Sequence, residues 1–107
     1  MADEEKKIYS MLGMAQKAGK LASGAEACKT AVLNHKAKLV IMAADTAVNT
    51  RNFFEGKGGS RGIPVIFFGE RALLGKHIGK GERTVLAVLD DGMARAIVEL
   101  YGILTRG

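Results

Sequence analysis

Hydrophobic and polar positions along this chain follow two alternating periods. Near the start Ile8, Met11, Leu12 and Ala15 recur every three or four residues. That spacing predicts an amphipathic helix over residues 2–18, with Lys17 in its last turn and Gly19 as its C-terminal stop. Lys20-Leu21-Ala22 is too short to show a period and is compatible with a brief strand. Ser23 then reads as the N-cap of a second helix, with Glu26 three residues on in capping-box spacing. This helix runs to about residue 34 and turns Ala27, Cys28, Ala31 and Val32 inward.

From Leu39 to Ala44 the chain is continuously apolar, as expected of a strand covered on both faces. Asp45-Thr46 reads as the cap of a third helix over residues 48–55, which dissolves into Gly56-Lys57-Gly58-Gly59-Ser60-Arg61-Gly62. Pro64 opens a strand over residues 65–68, Gly69 ends it, and residues 70–78 read as a short helix. A turn-rich loop (residues 79–83) leads to a third apolar run, 84–89, and Asp90-Asp91-Gly92 starts a final amphipathic helix to about residue 104. Strands alternating with helices imply an α/β fold: a three-layer α-β-α sandwich with about four strands in a largely parallel sheet.

Length and composition narrow this further. The 107 residues, 48% of them hydrophobic, suffice for one domain over residues 1–107 with a core of its own. A single cysteine, Cys28, forms no internal disulfide and no zinc cluster, and its place in the pattern is that of a small core residue. The charged opening segment lacks the apolar stretch of a signal peptide, and no apolar run approaches the ~20 residues of a bilayer span. The expected setting is therefore the cytoplasm, without a membrane partner. With no apolar stripe left over, a monomer is expected.

Charge says more. Sixteen Lys and Arg against eleven Asp and Glu give +5, and a pI near 9.6 is in the range of nucleic-acid binders. Two Tyr, four Phe and no Trp are too few to read bases by stacking along a sheet. Enzyme chemistry finds no footing. Gly75-Lys76 is followed by His77 and Gly79-Lys80 by Gly81, so neither completes a phosphate loop. His35 and His77 lie in no catalytic frame, and Asp90-Asp91 sits where helix caps sit. A non-catalytic protein without cofactor or metal is expected. What remains is a set of strand–helix junctions bearing glycines with Lys20, Asp45, Arg71, Lys76, Lys80 and Arg83. Open α/β sheets bind ligands beyond the carboxyl ends of their strands, and glycines, helix N-termini and cations together suit phosphate.

The order of segments is specific as a set. Leu12-Gly13-Met14-Ala15-Gln16-Lys17-Ala18-Gly19-Lys20-Leu21, Ser23-Gly24-Ala25-Glu26, Lys36-Ala37-Lys38-Leu39-Val40-Ile41, Ala44-Asp45, Asn49-Thr50-Arg51, Ile63-Pro64-Val65, Leu74-Gly75-Lys76-His77-Ile78-Gly79 and Val85-Leu86-Ala87-Val88 succeed one another over nearly the whole chain. This resembles the bacterial YlxQ-type proteins, relatives of the kink-turn-binding (L7Ae-like) ribosomal proteins of the large subunit. The resemblance implies an α-β-α sandwich with a four-stranded mixed sheet. It also implies binding of structured RNA, kink-turn-like or ribosomal, by the start of the second helix and neighbouring loops, and association with the ribosome.

In that family a Gly-x-Asn-Glu-x-x-Lys segment reads sheared G·A pairs. Here Ser23-Gly24 takes the glycine end, and Glu26 and Lys29 match the Glu and Lys. Ala25 stands in the asparagine place and can make no side-chain hydrogen bond. The family's other contacts fall on Lys20, Arg71 and the loop at residues 79–83. That loop often carries apolar residues, but here it carries Lys80 and Arg83, which shifts weight from base to phosphate contact. The alternative expectation is an assembly module in the same fold, with its RNA surface degenerate at Ala25.

Overall fold

The two runs read as fully covered strands become β2 (Leu39–Met42) and β4 (Val85–Val88), and every residue of both is buried. The structure, a computed structural model, describes residues 1–106. Around these strands the chain arranges α1 (Asp3–Lys17), β1 (Leu21–Ser23), α2 (Ala25–Leu33), α3 (Val48–Arg61), β3 (Val65–Phe67), α4 (Arg71–His77) and α5 (Asp91–Arg106).

The four strands form one sheet in the order β1-β4-β2-β3. Successive side chains of a strand point to opposite faces, and the core divides accordingly. Leu39, Ile41, Leu86 and Val88 face α1, α4 and α5 through Ile8, Leu12, Leu74 and Ile97. Val40, Met42, Val85 and Ala87 face α2 and α3 through Cys28, Val32 and Phe54. Five helices thus cover both faces of a four-stranded mixed sheet.

The expectation of a largely parallel sheet fails. β2 and β3 pair in parallel, but β4 is antiparallel to both β1 and β2. Helix length explains this. The 14 residues of α3 span about 21 Å at 1.5 Å per residue, enough to carry the chain back to the start of β2. The seven residues of α4 reach only about 10 Å. The loop after α4 doubles back, so that the Arg83 N–H bonds the Arg71 carbonyl at 3.1 Å. β4 therefore begins where β3 ends and must run the other way.

α3 also outruns its expected end at residue 55, continuing through Gly56, Gly58 and Gly59 to Arg61. Glycine costs a helix interior about 1 kcal/mol relative to alanine, and packing overrides that cost here. Gly58 is buried, and a Cβ on it would stand 2.5 Å from Cγ2 of Val65. Only glycine lets this helix lie so close to β3. Cys28 is fully buried, as expected. Its Sγ lies 3.5 Å from the Ala22 carbonyl, and burial pushes the thiol up to about 12, so it stays protonated. Asp90 caps α5 as read, accepting the Met93 N–H at 2.9 Å.

Candidate nucleic-acid interface

Because β1, β2 and β3 all run toward the end where β4 begins, four separate junctions meet on one rim. Backbone bonds tie them together. Gly24 N–H reaches Val85 O at 2.9 Å, Ala43 N–H reaches Thr84 O at 2.9 Å, and Ala44 N–H reaches Gly69 O at 2.8 Å. α2, α3 and α4 each come after a strand ending on this rim, so their N-termini converge there. First-turn N–H groups have no partner within their own helix and carry the positive end of the helix dipole. Neither α2 nor α3 has a side-chain cap, so those amides stay available to an anion.

The capping roles read from the sequence are corrected here. Ser23 belongs to β1, and Gly24 takes the N-cap of α2 at φ 91°, a left-handed value natural to glycine. Ser23 Oγ instead accepts from Arg83 Nε at 3.2 Å. The same guanidinium donates to the carbonyls of Gly81 and Glu82, which fixes the loop at the entry to β4. Glu26 does not turn back to close a capping box; its carboxylate is exposed and pairs with Lys29 at 3.9 Å. Asp45 and Thr46 do not cap α3. Asp45 Oδ1 accepts the Arg71 N–H at 2.9 Å, capping α4 across the parallel β2–β3 pair. Its Oδ2 accepts from Arg71 Nε at 3.2 Å. Thr46 Oγ1 donates to Thr84 O at 2.9 Å.

The Arg71 backbone N–H above all holds the Asp45 carboxyl below its ordinary value of 3.8; desolvation opposes it, and the Arg71 guanidinium adds a smaller pull in the same direction as the backbone bond. A carboxyl lowered on folding contributes stability above its unfolded value, and that contribution is lost as pH falls through the folded value. Acid unfolding checks this. The wild type should lose stability more steeply than Asp45→Asn below about pH 4, and parallel curves would remove Asp45 from the acid response.

The sequence-derived residues do not all gather. Ser23, Gly24, Asp45, Arg71 and Arg83 are tied together on the rim by the bonds above, and Ala25, Glu26 and Lys29 occupy the first turns of α2 beside them. Lys80 lies in the loop folded against α4, its N–H on the Gly75 carbonyl at 2.8 Å. Lys76 is exposed farther along α4. Lys20 is excluded. It precedes β1, and its carbonyl accepts from Leu89 N–H just past the end of β4, at the opposite end of the sheet. Its place on the rim is ruled out by strand direction, which sequence proximity to Ser23 does not reveal.

Two contributors, Thr84 and Phe53, escaped the sequence reading, and Thr46 was read only as a cap. Thr46 and Thr84 clamp the β2–α3 junction to β4. Phe53 of α3 lies under Lys29, whose Nζ is 5.0 Å from the ring centroid, a cation–π contact that steadies the ammonium beside Glu26. The Phe53-Phe54 pair was visible, but nothing in it marks which ring turns toward α2. Among the described residues no group of His, Cys, Asp and Glu could hold a metal ion, and no helix is long and apolar enough to cross a membrane.

A mixed four-stranded sheet between two helix layers, with a glycine-rich and basic rim at the start of α2, defines a class of small α/β proteins, and residues 6–98 match one family of that class. The chain belongs to the Ribosomal protein L7Ae/L30e/S12e/Gadd45 family. It is 35% identical over 92 residues to the RNA-binding protein YlxQ of Bacillus subtilis (strain 168), covering 86% of this chain and 92% of that one. The RNA-binding protein YlxQ of Enterococcus faecium is 33% identical over 94 residues, covering 88% and 90%. Among solved structures, a protein of unknown function from Bacillus halodurans C superposes with TM-score 0.85 at 40% identity, over 88% of this chain and 95% of that one. The Giardia lamblia 15.5kD RNA binding protein superposes with TM-score 0.79 over 99% and 91%, its 20% identity speaking for the fold alone.

Proposed function

We propose that the protein binds structured RNA without catalysis, through the rim formed by the start of α2 and the loops around Asp45, Arg71 and Arg83, with kink-turn-like or ribosomal RNA as its target. The convergence of these junctions beside the uncapped start of α2 carries the reading. Open amides and Lys80 would meet the RNA backbone, Glu26 would accept from a guanine edge, and Lys29 would meet a phosphate or base. The YlxQ names of the two bacterial relatives support RNA as the ligand class. Association with the ribosome in the cytoplasm, as a monomer, belongs to the same proposal.

Two features make the surface unusual for base-specific recognition. Ala25 offers no side-chain hydrogen bond, and Arg71 is already engaged by Asp45. They favour a second reading, an assembly module whose RNA surface has degenerated. Fluorescence anisotropy at two salt concentrations separates the two. The RNAs are a kink-turn, the same RNA with its G·A pairs replaced, and a plain duplex. The proposal expects tightest binding to the kink-turn, with affinity falling by a log–log slope of about −0.7 to −0.9 per phosphate engaged. Equal, salt-sensitive binding to all three would replace kink-turn recognition by general phosphate contact. No saturable signal at low salt would leave the assembly module.

A further inference from the structure

At the end of the sheet opposite the rim, a cleft of about 370 Å³ opens between the α2–β2 turn and the end of α3, lined by His35, Lys38, Arg61, Pro64 and Asp91 among others. Three observations single it out. His35 is the only non-glycine residue with positive φ among the described residues, at 60°. It is the left-handed residue that ends α2, with its own N–H on the Val32 carbonyl and the Lys36 N–H on the Ala31 carbonyl, and this turn sets His35 in the wall of the cleft. Second, Arg61 pairs with no carboxylate among the described residues. Its Nη1 lies 3.1 Å from Nε2 and 3.4 Å from Nδ1 of the His35 ring, and neither Arg61 nor Lys38 is among the ion pairs of the described residues. Third, the balance of formal charge in the cleft is positive, with Lys38 and Arg61 against Asp91. A guanidinium resting on the His35 ring has donors to spare, and a tetrahedral oxyanion can accept them together with the Lys38 ammonium.

We propose that this cleft is a second phosphate-binding site, which takes the backbone of a single-stranded RNA segment while the rim holds a structured one. The identity of the ligand rests on the RNA reading of the rim; the site itself does not. Lys20, excluded from the rim, stands at this same end just before β1, two strand positions from β2. That is about 10 Å at the usual strand spacing, with the end of β4 and the Asp90-Asp91 pair that follows it in between, so Lys20 is not part of the cleft. The two sites then lie at opposite ends of a molecule 27–32 Å across. The protein would bridge two RNA segments rather than cap one.

The test uses the full chain and a fluorescent oligouridylate of about eight nucleotides, titrated at about 50 mM salt and above. A kink-turn RNA is titrated in parallel. Lys38→Gln with Arg61→Gln should weaken the oligouridylate about tenfold and flatten its salt slope by about 1.4, two phosphates' worth. Kink-turn affinity should stay within about twofold. Arg61→Glu alone should act in the same direction, and melting curves confirm that each variant is folded. Glu26→Ala with Lys29→Ala should do the reverse, losing the kink-turn and keeping the oligouridylate. Competition by inorganic phosphate or mononucleotide as strong as by oligouridylate, phosphate for phosphate, would make the site one for a free anion and overturn the bridging proposal. Oligouridylate binding that is absent, or indifferent to the Lys38 and Arg61 substitutions, would overturn the cleft outright. Loss of kink-turn binding alone, with oligouridylate still dependent on Arg61, would sink the rim reading and leave the cleft standing.

Discussion

Gly75→Ala is expected to destabilise the protein by about 3 kcal/mol, at the upper end for overpacking, and to lower its melting temperature by roughly 10–20 °C. A Cβ at this position would collide with the carbonyl oxygen of Gly81 and stand 2.6 Å from its carbonyl carbon. Both are backbone atoms, so no rotamer change relieves the clash. α4 and the loop at residues 79–83 must part. That parting strains the Lys80 N–H bond to Gly75 and the Arg83 N–H bond to Arg71. RNA affinity should therefore fall along with stability. Gly81→Ala is the control, because nothing lies within 4 Å of its added Cβ, and it should cost under about 1 kcal/mol. A Gly75→Ala protein melting within a few degrees of wild type would show that α4 does not bind the loop as described.

The second large effect concerns RNA alone. Glu26→Ala combined with Lys29→Ala should weaken a kink-turn RNA about 10- to 100-fold, the range of a lost base contact and its support. Stability should barely move. The Glu26–Lys29 pair is a 3.9 Å contact with the Glu26 side chain 94% exposed, and such pairs contribute little. Ala25→Asn is the complementary gain. An amide beside Glu26, where the family motif carries one, should tighten the kink-turn and leave a plain duplex unchanged. Anisotropy titrations beside thermal melts give both readouts. Unaltered affinity for every structured RNA in the double variant would dismiss this face of α2.

How much of this was legible beforehand depends on whether the cause was local. β2 and β4 were readable because a strand buried on both faces needs apolar residues at every position. α1 and α5 were readable from their period. β1 has three residues, all half-buried, too few to show one. α3 beyond residue 55 was invisible because Gly56, Gly58 and Gly59 disfavour helix, and only contact with β3 reverses that. The direction of β4 depends on how far α4 reaches before the chain turns back, a length the strand–helix alternation does not convey.

The site divides along the same line. Glu26, Lys29, Asp45, Arg71, Lys80 and Arg83 were identifiable as polar residues at strand–helix junctions. Their partners were not. Asp45 and Ser23 looked like caps for the helices just after them, which is the commonest use of such residues at such places. They serve instead Arg71, 26 residues on, and Arg83, 60 residues on. Lys20 shows the converse: three residues from Ser23 along the chain, it lies at the far end of the sheet.

The place of β4 within the sheet has a bearing on how the protein comes into being. Synthesis proceeds from the N-terminus, and domains generally form as units as they are made. Here the strand between β1 and β2 is the last of the four to be translated. A nascent chain that stops before Val85 contains β1 with no neighbour to pair with, and an α2 whose start lacks the Val85 carbonyl that anchors Gly24. β2 and β3 can pair with each other, but β1 and the start of α2 wait on this strand. A product terminated before Val85 therefore has no formed rim, and its unpaired β1 is open to proteolysis. The rim forms only once β4 has been made.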